Sequence, residues 1–427
     1  MHRIWSQGEE DVALATKVLY WTLSSLRPLT LLMLQHALAV EPEDGAFDES
    51  GMPDEEVVVS VCAGLVTVDH ESQLIRLIHY TTQEYLENLR VSRFPHAQVS
   101  MTRTCLTYLL FQDFAAPCGS NEEIEDRLDR YPFLAYAAQF WGEHARGEPE
   151  GEVKDLALRL FQPQSNLFAA VQIMHYFTGP VQGSQETPTQ VTGVHIAALF
   201  GLSTLINSLF ELDNDVDINL KDSLGRTALM LAVENGHDSV ILQLVQRANV
   251  DVNVRDLADR TPLLYAVEYG RTMAVEHLLR HPNIDINAKD KFHGRCALWI
   301  AADKGYASIV QLLLGREDLD PNCKDKAYGR TPLWQAVERG QQGVVQLLLE
   351  QQRVDVNSRD KYFGRTPLYV AADRGDAEIV RLLLHRKDLE VEFIERYNRN
   401  TPMEQACKRG HDLVVHLLSS TDAAVVP

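Results

Sequence analysis

The sequence predicts a mainly α chain: a helical N-terminal region with one small β-hairpin, then a solenoid of stacked helix pairs with β-hairpin fingers. Three observations carry that expectation. One short pattern recurs seven times, opening at Thr192, Thr227, Thr261, Cys296, Thr331, Thr366 and Thr401, at intervals of 35, 34, 35, 35, 35 and 35 residues. A fixed period of this size marks stacked helical repeats. At 427 residues the chain exceeds one compact domain. Upstream of the repeats, apolar residues follow helical spacing, broken once by two short strand-like runs.

The clearest copy reads TPLYVAADRG at 366–375, followed by IVRLLL at 379–384, and most units close on a D-x-N element such as Asp251/Asn253, Asp285/Asn287, Asp320/Asn322 and Asp355/Asn357. The pattern resembles the ankyrin repeat, which implies a short inner helix, a longer outer helix and a β-hairpin finger in each unit. The residues give each part a reason. The opening Thr caps the inner helix, and Pro in the first turn sacrifices no hydrogen bond. Paired alanines let inner helices approach. Gly236, Gly270, Gly305, Gly340, Gly375 and Gly410 end those helices where a left-handed residue is needed. The Leu runs at 312–314, 347–349 and 382–384 bury the outer helix against the next unit, so stability sums over neighbours. The last outer helix, 412–418, is apolar and is expected to fray or to be covered by residues 423–427.

In the N-terminal region, residues 9–24 begin with acids and continue with apolar residues at helical spacing. Thr30 is placed to cap a second helix over 31–40, an acidic loop spans 41–53, and a third helix is expected over 54–63. The runs 65–68 and 74–78 flank a turn and suit a hairpin, and a Thr-capped helix follows from about residue 80. Three helices and a hairpin make a winged helix. Further helices are expected over 101–111, 121–128, 132–144 and 154–161, with Tyr136, Phe140 and Trp141 as core. Residues 162–191, rich in Gln, Pro, Gly, Ser and Thr, read as a linker. The expected division is therefore a winged-helix domain at 1–95, a helical connector at 96–161, the linker at 162–191 and seven repeats over 192–427.

The segments RPLT (27–30), LQHALA (34–39), VCAGLV (61–66) and HYTTQEY (79–85) resemble the winged helix of fungal NACHT–ankyrin proteins. These are NOD-like (STAND) signalling ATPases, and the segment also carries the name GPI inositol-deacylase winged helix. The resemblance implies a regulatory lever packed on a nucleotide-binding NACHT module. No G-x-x-x-x-G-K-[ST] phosphate loop occurs in this chain. The expectation is thus either a naturally short relative or the C-terminal part of a larger gene product.

Composition narrows the partners. The net charge is −20, with 27 acids against 12 bases in residues 1–190 and 33 against 28 in the rest. An acidic N-terminal half repels phosphate backbones. The candidate recognition helix at 54–63 has three acids and no Lys or Arg, so protein packing is expected of it rather than groove reading. The six cysteines form no C-x-x-C pair, which reads as a reduced, cytoplasmic protein without disulfides, a nuclear site being compatible. No apolar run reaches membrane-spanning length, and the N-terminus does not read as a signal peptide.

No catalytic, cofactor or metal constellation is present in the sequence. The DNDVD run at 213–217 lacks the Gly and the bidentate Glu of a calcium loop, and His195 suits hydrogen bonding inside its repeat. Binding is the expectation, with a protein partner on the concave ankyrin face. Arginine precedes the opening residue of five consecutive units (Arg226, Arg260, Arg295, Arg330, Arg365). A second column stands before the helix-ending glycines: Glu268 and Tyr269, Asp303 and Lys304, Glu338 and Arg339, Asp373 and Arg374. Finger tips add Phe292, Tyr328, Tyr362, Phe363 and Tyr397. Exposed Arg and aromatic side chains commonly anchor interfaces; for the arginines, bonds to neighbouring loop carbonyls are the reading favoured over a binding role. Trp299, Trp334 and Tyr369, in register on inner helices, are expected to stack between repeats. The function this predicts is a non-enzymatic interaction scaffold, the sensor arm of a fungal NOD-like receptor. The alternatives are the regulatory end of a STAND ATPase, with a separate NACHT module on the winged helix, and a DNA-binding regulator.

Overall fold

The computed structural model describes residues 2–42, 44–162, 166–178, 190–213 and 216–422, and it divides into two compact units, Met1–Ser223 and Leu224–Pro427.

The first unit opens with the expected winged helix. Helices Glu9–Ser24, Leu31–Ala39 and Glu55–Val61 precede an antiparallel pair, Val66–Val68 with Ile75–Leu77, in the register Val66↔Leu77. The Thr30 hydroxyl accepts from the Met33 amide, as its capping position requires. Chain preceding that helix adds a third rung to the hairpin: Leu31 N–H donates to Gln73 O at 2.8 Å and Ile75 N–H to Leu29 O at 3.0 Å. The following helix, Tyr80–Arg93, is capped by His79 and not by a threonine. Its Nδ1 accepts from the Thr81 amide, because His79 is the last residue with extended backbone.

Behind the winged helix stand Ala97–Leu109, Asn121–Arg130, Leu134–Ala145 and Lys154–Leu160. Their core is aromatic. Trp21 packs edge-on against Phe133 and Tyr136 at 5.4 and 5.8 Å, and Tyr108 meets Phe133, Phe111 and Phe114. Two buried histidines complete it. His36 stacks on Phe47 at 4.1 Å and reaches the Tyr108 hydroxyl at 2.9 Å; His144 lies between the Tyr136 hydroxyl and Gln98 Oε1, at 2.8 and 2.7 Å. Burial pushes both imidazoles down to about 4, with Arg90 adding to the effect at His144.

Two features of this unit depart from expectation. The stretch read as a linker contains a helix, Leu167–Thr178, packed on Leu134–Ala145. Its apolar residues were outweighed in composition by the polar run at 179–189, which lies outside the described residues. The unit also takes in the first repeat, helices Gly193–Phe200 and Ser203–Leu212. Gly142 is what lets Phe200 approach, since a Cβ there would stand 2.1 Å from its ring. The buried Glu150 carboxylate accepts from the Leu205 amide at 2.7 Å, serving the start of the second helix from outside the repeat. His195 behaves as expected: its Nδ1 accepts from the Thr192 amide while Nε2 faces Leu220 O at 3.1 Å.

The second unit is periodic. Inner helices Ala228–Asn235, Pro262–Glu268, Ala297–Lys304, Pro332–Arg339, Pro367–Arg374 and Pro402–Arg409 alternate with outer helices Asp238–Val245, Thr272–Leu279, Ala307–Leu314, Gln342–Leu349, Ala377–Leu384 and Asp412–Asp422. Threonine caps five of the six inner helices, from Thr227 on Met230 N to Thr401 on Glu404 N; at Ala297–Lys304 the cap position is Cys296, whose side chain makes no capping bond. The expected glycines take φ between 66° and 77°. The outer helices are not the longer ones: apart from the last, they have eight residues. In three of them an arginine of the next repeat caps the last helical carbonyl, beginning with Arg316 on Leu279 O at 2.7 Å. Arg353 donates to Leu314 O and Arg316 O at 3.3 and 2.8 Å, and Arg386 to Leu349 O at 3.2 Å.

The D-x-N element has a mechanical explanation. Its asparagine donates to one backbone carbonyl of the following repeat and accepts from one amide. Asn322 Nδ2 reaches Arg353 O at 2.8 Å, and Asp355 N–H reaches Asn322 Oδ1 at 2.7 Å; Asn253, Asn287 and Asn357 repeat the pattern. A second correction concerns cysteine. Cys296 and Cys323 are disulfide-bonded, contrary to a wholly reduced reading. They are 27 residues apart, as are Thr331 and Ser358, whose hydroxyls meet at 2.8 Å. Repeat stacking sets this neighbour relation; sequence spacing without C-x-x-C conceals it. In the last outer helix Val414 and Leu418 are buried while Leu413 is 58% exposed; the suggested cover, residues 423–427, lies outside the described residues.

Candidate functional site

Each finger in the second unit turns on a carboxylate. Asp256, Asp290, Asp325, Asp360 and Glu395 are buried and accept backbone N–H groups of their own turn; Asp325, for example, takes Tyr328 N at 2.6 Å and Arg330 N at 2.9 Å. A hairpin bond closes each turn, such as Asp325 N–H to Arg330 O at 3.1 Å. Successive fingers are tied together, Lys326 N–H to His293 O and Lys361 N–H to Tyr328 O, both at 2.7 Å. A rigid row of tips results, and their side chains point from a fixed backbone.

The arginine column divides within this frame. Arg226 lies 3.8 Å from Glu234. Arg260 pairs with Asp256 at 2.7 Å and Arg295 with Asp290 at 2.8 Å. Burial alone would raise the Asp290 carboxyl, but Arg295 and the turn amides bring it below its usual range. Arg330 and Arg365 differ. Neither has a carboxylate within ion-pair distance among the described residues, and the Nε of each is buried without an acceptor. Aromatic rings hold them instead. Arg330 lies 4.4 Å from the Tyr328 centroid and 3.9 Å from Trp334; Arg365 lies 4.6 Å from Phe363 and 5.3 Å from Tyr369.

The second column is mostly self-satisfied between neighbouring repeats. The Tyr269 hydroxyl donates to Glu234 at 2.8 Å, Lys304 pairs with Glu268 at 2.9 Å, Arg339 with Asp303 at 2.6 Å and Arg409 with Asp373 at 2.8 Å. Burial opposes ionisation of Asp373, but hydrogen bonds from Gln405 and Arg409 outweigh it and lower the pKa. Glu338 and Arg374 enter no ion pair among the described residues. A surface cleft gathers Arg260, Glu268, Tyr269, Arg295 and Lys304, five residues that the two columns single out.

The tip aromatics are exposed, from 40% at Phe363 to 78% at Tyr397, and two pairs meet edge to face: Tyr328 with Tyr362 at 5.9 Å and Phe363 with Tyr397 at 6.3 Å. Trp299, Trp334 and Tyr369 are buried, but the tryptophans bridge repeats by hydrogen bonds rather than by ring stacking. Trp299 Nε1 donates to Arg330 O at 3.0 Å and Trp334 Nε1 to Arg365 O at 2.9 Å, which seats each following arginine. The column reading passed over the tip lysines. Lys291, Lys326 and Lys361 are exposed, each just after the buried Asp, and their signal was the K/R-D-K triplet recurring every 35 residues at 289–291, 324–326 and 359–361.

In the first unit the winged helix exposes Glu55, Glu56 and Val57 along the helix that would read a groove, and Arg76 is paired with Asp69 at 3.1 Å. Nearby, Ile78, Tyr80 and Tyr85 are each more than half exposed. Among the described residues, no group of three or more His, Cys, Asp or Glu side chains could hold a metal ion, and no helix is long and apolar enough to cross a membrane.

Family models for ankyrin repeats match residues 194–290, 287–360 and 352–426, and a model described as GPI inositol-deacylase, winged helix domain, matches residues 3–95. The Azaphilone pigments biosynthesis cluster protein L of Monascus ruber is 26% identical over 254 residues, covering 52% of this chain and 53% of that protein. The chain thus spans about half the length of the curated relative it matches. Similar solved structures include the ankyrin repeat domain of Bcl-3 (28% identity, TM-score 0.49, 54% of this chain and 99% of that one). Another is an ankyrin repeat domain from Acinetobacter baumannii AYE (31% identity, TM-score 0.42, 45% and 96%). A third is the human ASB11 ankyrin repeat domain (20% identity, TM-score 0.43, 53% and 98%). With repeat models matched across more than half its length, the chain belongs to the ankyrin-repeat family and carries a winged helix domain of the GPI inositol-deacylase type ahead of the repeats.

Proposed function

We propose that this chain is a non-catalytic protein-interaction scaffold that holds a protein partner along the finger tips and inner helices, the concave side of the array. The row of exposed tip aromatics carries this reading. Large apolar rings are held out on turns whose backbone is fixed by buried carboxylates, so little entropy is lost when a partner covers them. The test is capture of partners from a source extract by the full chain and by a Tyr328→Ala, Tyr362→Ala, Tyr397→Ala variant of unchanged helicity. Loss of a partner in the variant supports the reading. Unchanged recovery of every partner overturns it.

The wider setting follows from the winged helix. We read the chain as the sensor arm of a fungal NOD-like receptor at work in the cytoplasm. Exposed Ile78, Tyr80 and Tyr85 favour a second reading, the regulatory end of a STAND ATPase with a separate NACHT module on the winged helix. Co-purification of such a module with the chain, lost on Tyr80→Ser and Tyr85→Ser, would distinguish the two. DNA binding is disfavoured by the exposed acids of Glu55–Val61.

A further inference from the structure

The chain as a whole is acidic, yet its finger row is not. Tip stretches 289–295, 324–330, 359–365 and 395–399 hold eleven Lys and Arg against four acids. Those four, Asp290, Asp325, Asp360 and Glu395, are each 6% exposed or less and are engaged by turn amides. Solvent therefore meets cations and aromatic rings. Of the eleven, Arg295 and Arg359 have carboxylate partners, Asp290 and Glu390; the other nine have none within ion-pair distance among the described residues. Two of the nine, Arg330 and Arg365, are held between rings with a buried Nε lacking an acceptor. A guanidinium fixed in this way is ready to meet a carboxylate in bidentate fashion, with little side-chain entropy left to lose.

Resting on the interaction reading above, we propose that the partner docks an acidic segment on this row, with Asp or Glu carboxylates on Arg330 and Arg365 and apolar side chains against Tyr328, Tyr362 and Tyr397. Charge complementarity selects that occupant. A nucleic acid would also meet cations and rings, but the cationic strip is bordered by acids on the same repeats. Exposed Asp355, in a D-x-N element, and half-buried Glu338, on an inner helix, have no cation within ion-pair distance among the described residues; Asp285, Asp303 and Asp373 beside them are paired with Arg255, Arg339 and Arg409. A polyphosphate running along the strip meets repulsion from both borders, whereas spaced carboxylates can sit on the two framed guanidiniums alone.

The test uses the full-length chain and three fluorescent probes in anisotropy titrations: a twelve-residue peptide alternating Glu and Tyr, the same peptide with Gln for Glu, and a single-stranded oligonucleotide of equal charge. The acidic peptide is expected to bind at least tenfold tighter than the other two, and to weaken at least tenfold between 0.1 and 0.5 M NaCl. Arg330→Gln with Arg365→Gln should cost a further tenfold. Because those side chains are partly packed, Lys326→Glu with Lys361→Glu, on exposed positions, provides a second variant and should act in the same direction. Equal binding of the acidic and neutral peptides overturns the acidic class but leaves the scaffold reading to its own capture test. Tighter binding of the oligonucleotide replaces this partner by a nucleic acid. Full binding by both variants removes the finger row as the site.

Discussion

The core at 9–160 and the repeats at 227–409 reach stability by opposite routes. The first depends on non-repeating aromatic contacts: Trp21, Tyr108, Phe133 and Tyr136 converge from helices far apart in sequence, and two neutral histidines are sealed among them. The second depends on short, repeated links. Asparagines in four units, helix-capping arginines in three and tryptophans in two reach the backbone of a neighbouring unit. One core is a knot that any single cut loosens, and the other is a chain of like links. The comparison also explains where binding surface can form, because a repeated backbone presents the same outward position many times, at a regular interval.

The largest effect should come from cutting the knot. Trp21→Ala is expected to cost about 3–5 kcal/mol, as for other buried Trp truncations, and a denaturant titration followed by fluorescence and hydrogen exchange would measure it. A loss under 1 kcal/mol would mean that the aromatic cluster is not the keystone claimed. Acidification comes next. His36 and His144 titrate near 6.5 when unfolded but near 4 in the fold, so the unfolded chain binds more protons between those values. Stability is therefore full above about pH 7 and falls as the pH drops from about 6.5 to 4, by up to roughly 3 kcal/mol for each histidine. His144→Gln should flatten that slope in titrations at pH 7.5 and 4.5; an unchanged slope would contradict it.

Effects in the repeats should be smaller and local. Asn322→Ala removes a donor and an acceptor across one junction and should cost about 1–2 kcal/mol, read as faster amide exchange at Asp355 and its neighbours. A loss spread evenly over all repeats would argue against nearest-neighbour links. The outer helix Asp412–Asp422 leaves Leu413 58% exposed, so its amides should exchange about tenfold faster than those of Ala307–Leu314. Equal protection would show that something covers it. The smallest change is a gain. Arg399 takes φ +56° at the tip position where Gly294, Gly329 and Gly364 stand, so Arg399→Gly should relieve strain and stabilise by about 0.5–1 kcal/mol in a thermal melt. A lower melting temperature would show that the arginine's contacts outweigh its backbone strain.

The periodic half was highly legible because each residue had a local task that recurs. Thr caps, Pro in the first turn and Gly at the helix end could be assigned position by position. The winged helix was nearly as clear, its helix starts and hairpin falling within a few residues of expectation. The helix Leu167–Thr178 was hidden by its polar flanks, and the His79 cap by two adjacent threonines that looked better suited. At the candidate site the tip aromatics and both columns were visible. That Arg260 and Arg295 are occupied by carboxylates while Arg330 and Arg365 are framed by rings was not, since all four sit in one motif position.

By itself the sequence determined the repeat, its period, its caps and the kinds of residue at each finger tip, because these rest on backbone preferences acting over a few residues. Only the tertiary structure decided which cations are already paired, which acids are buried in their own turns, and that Cys296 meets Cys323. Those outcomes depend on distances between side chains one repeat apart. Stacking sets such distances, and a linear pattern does not contain them.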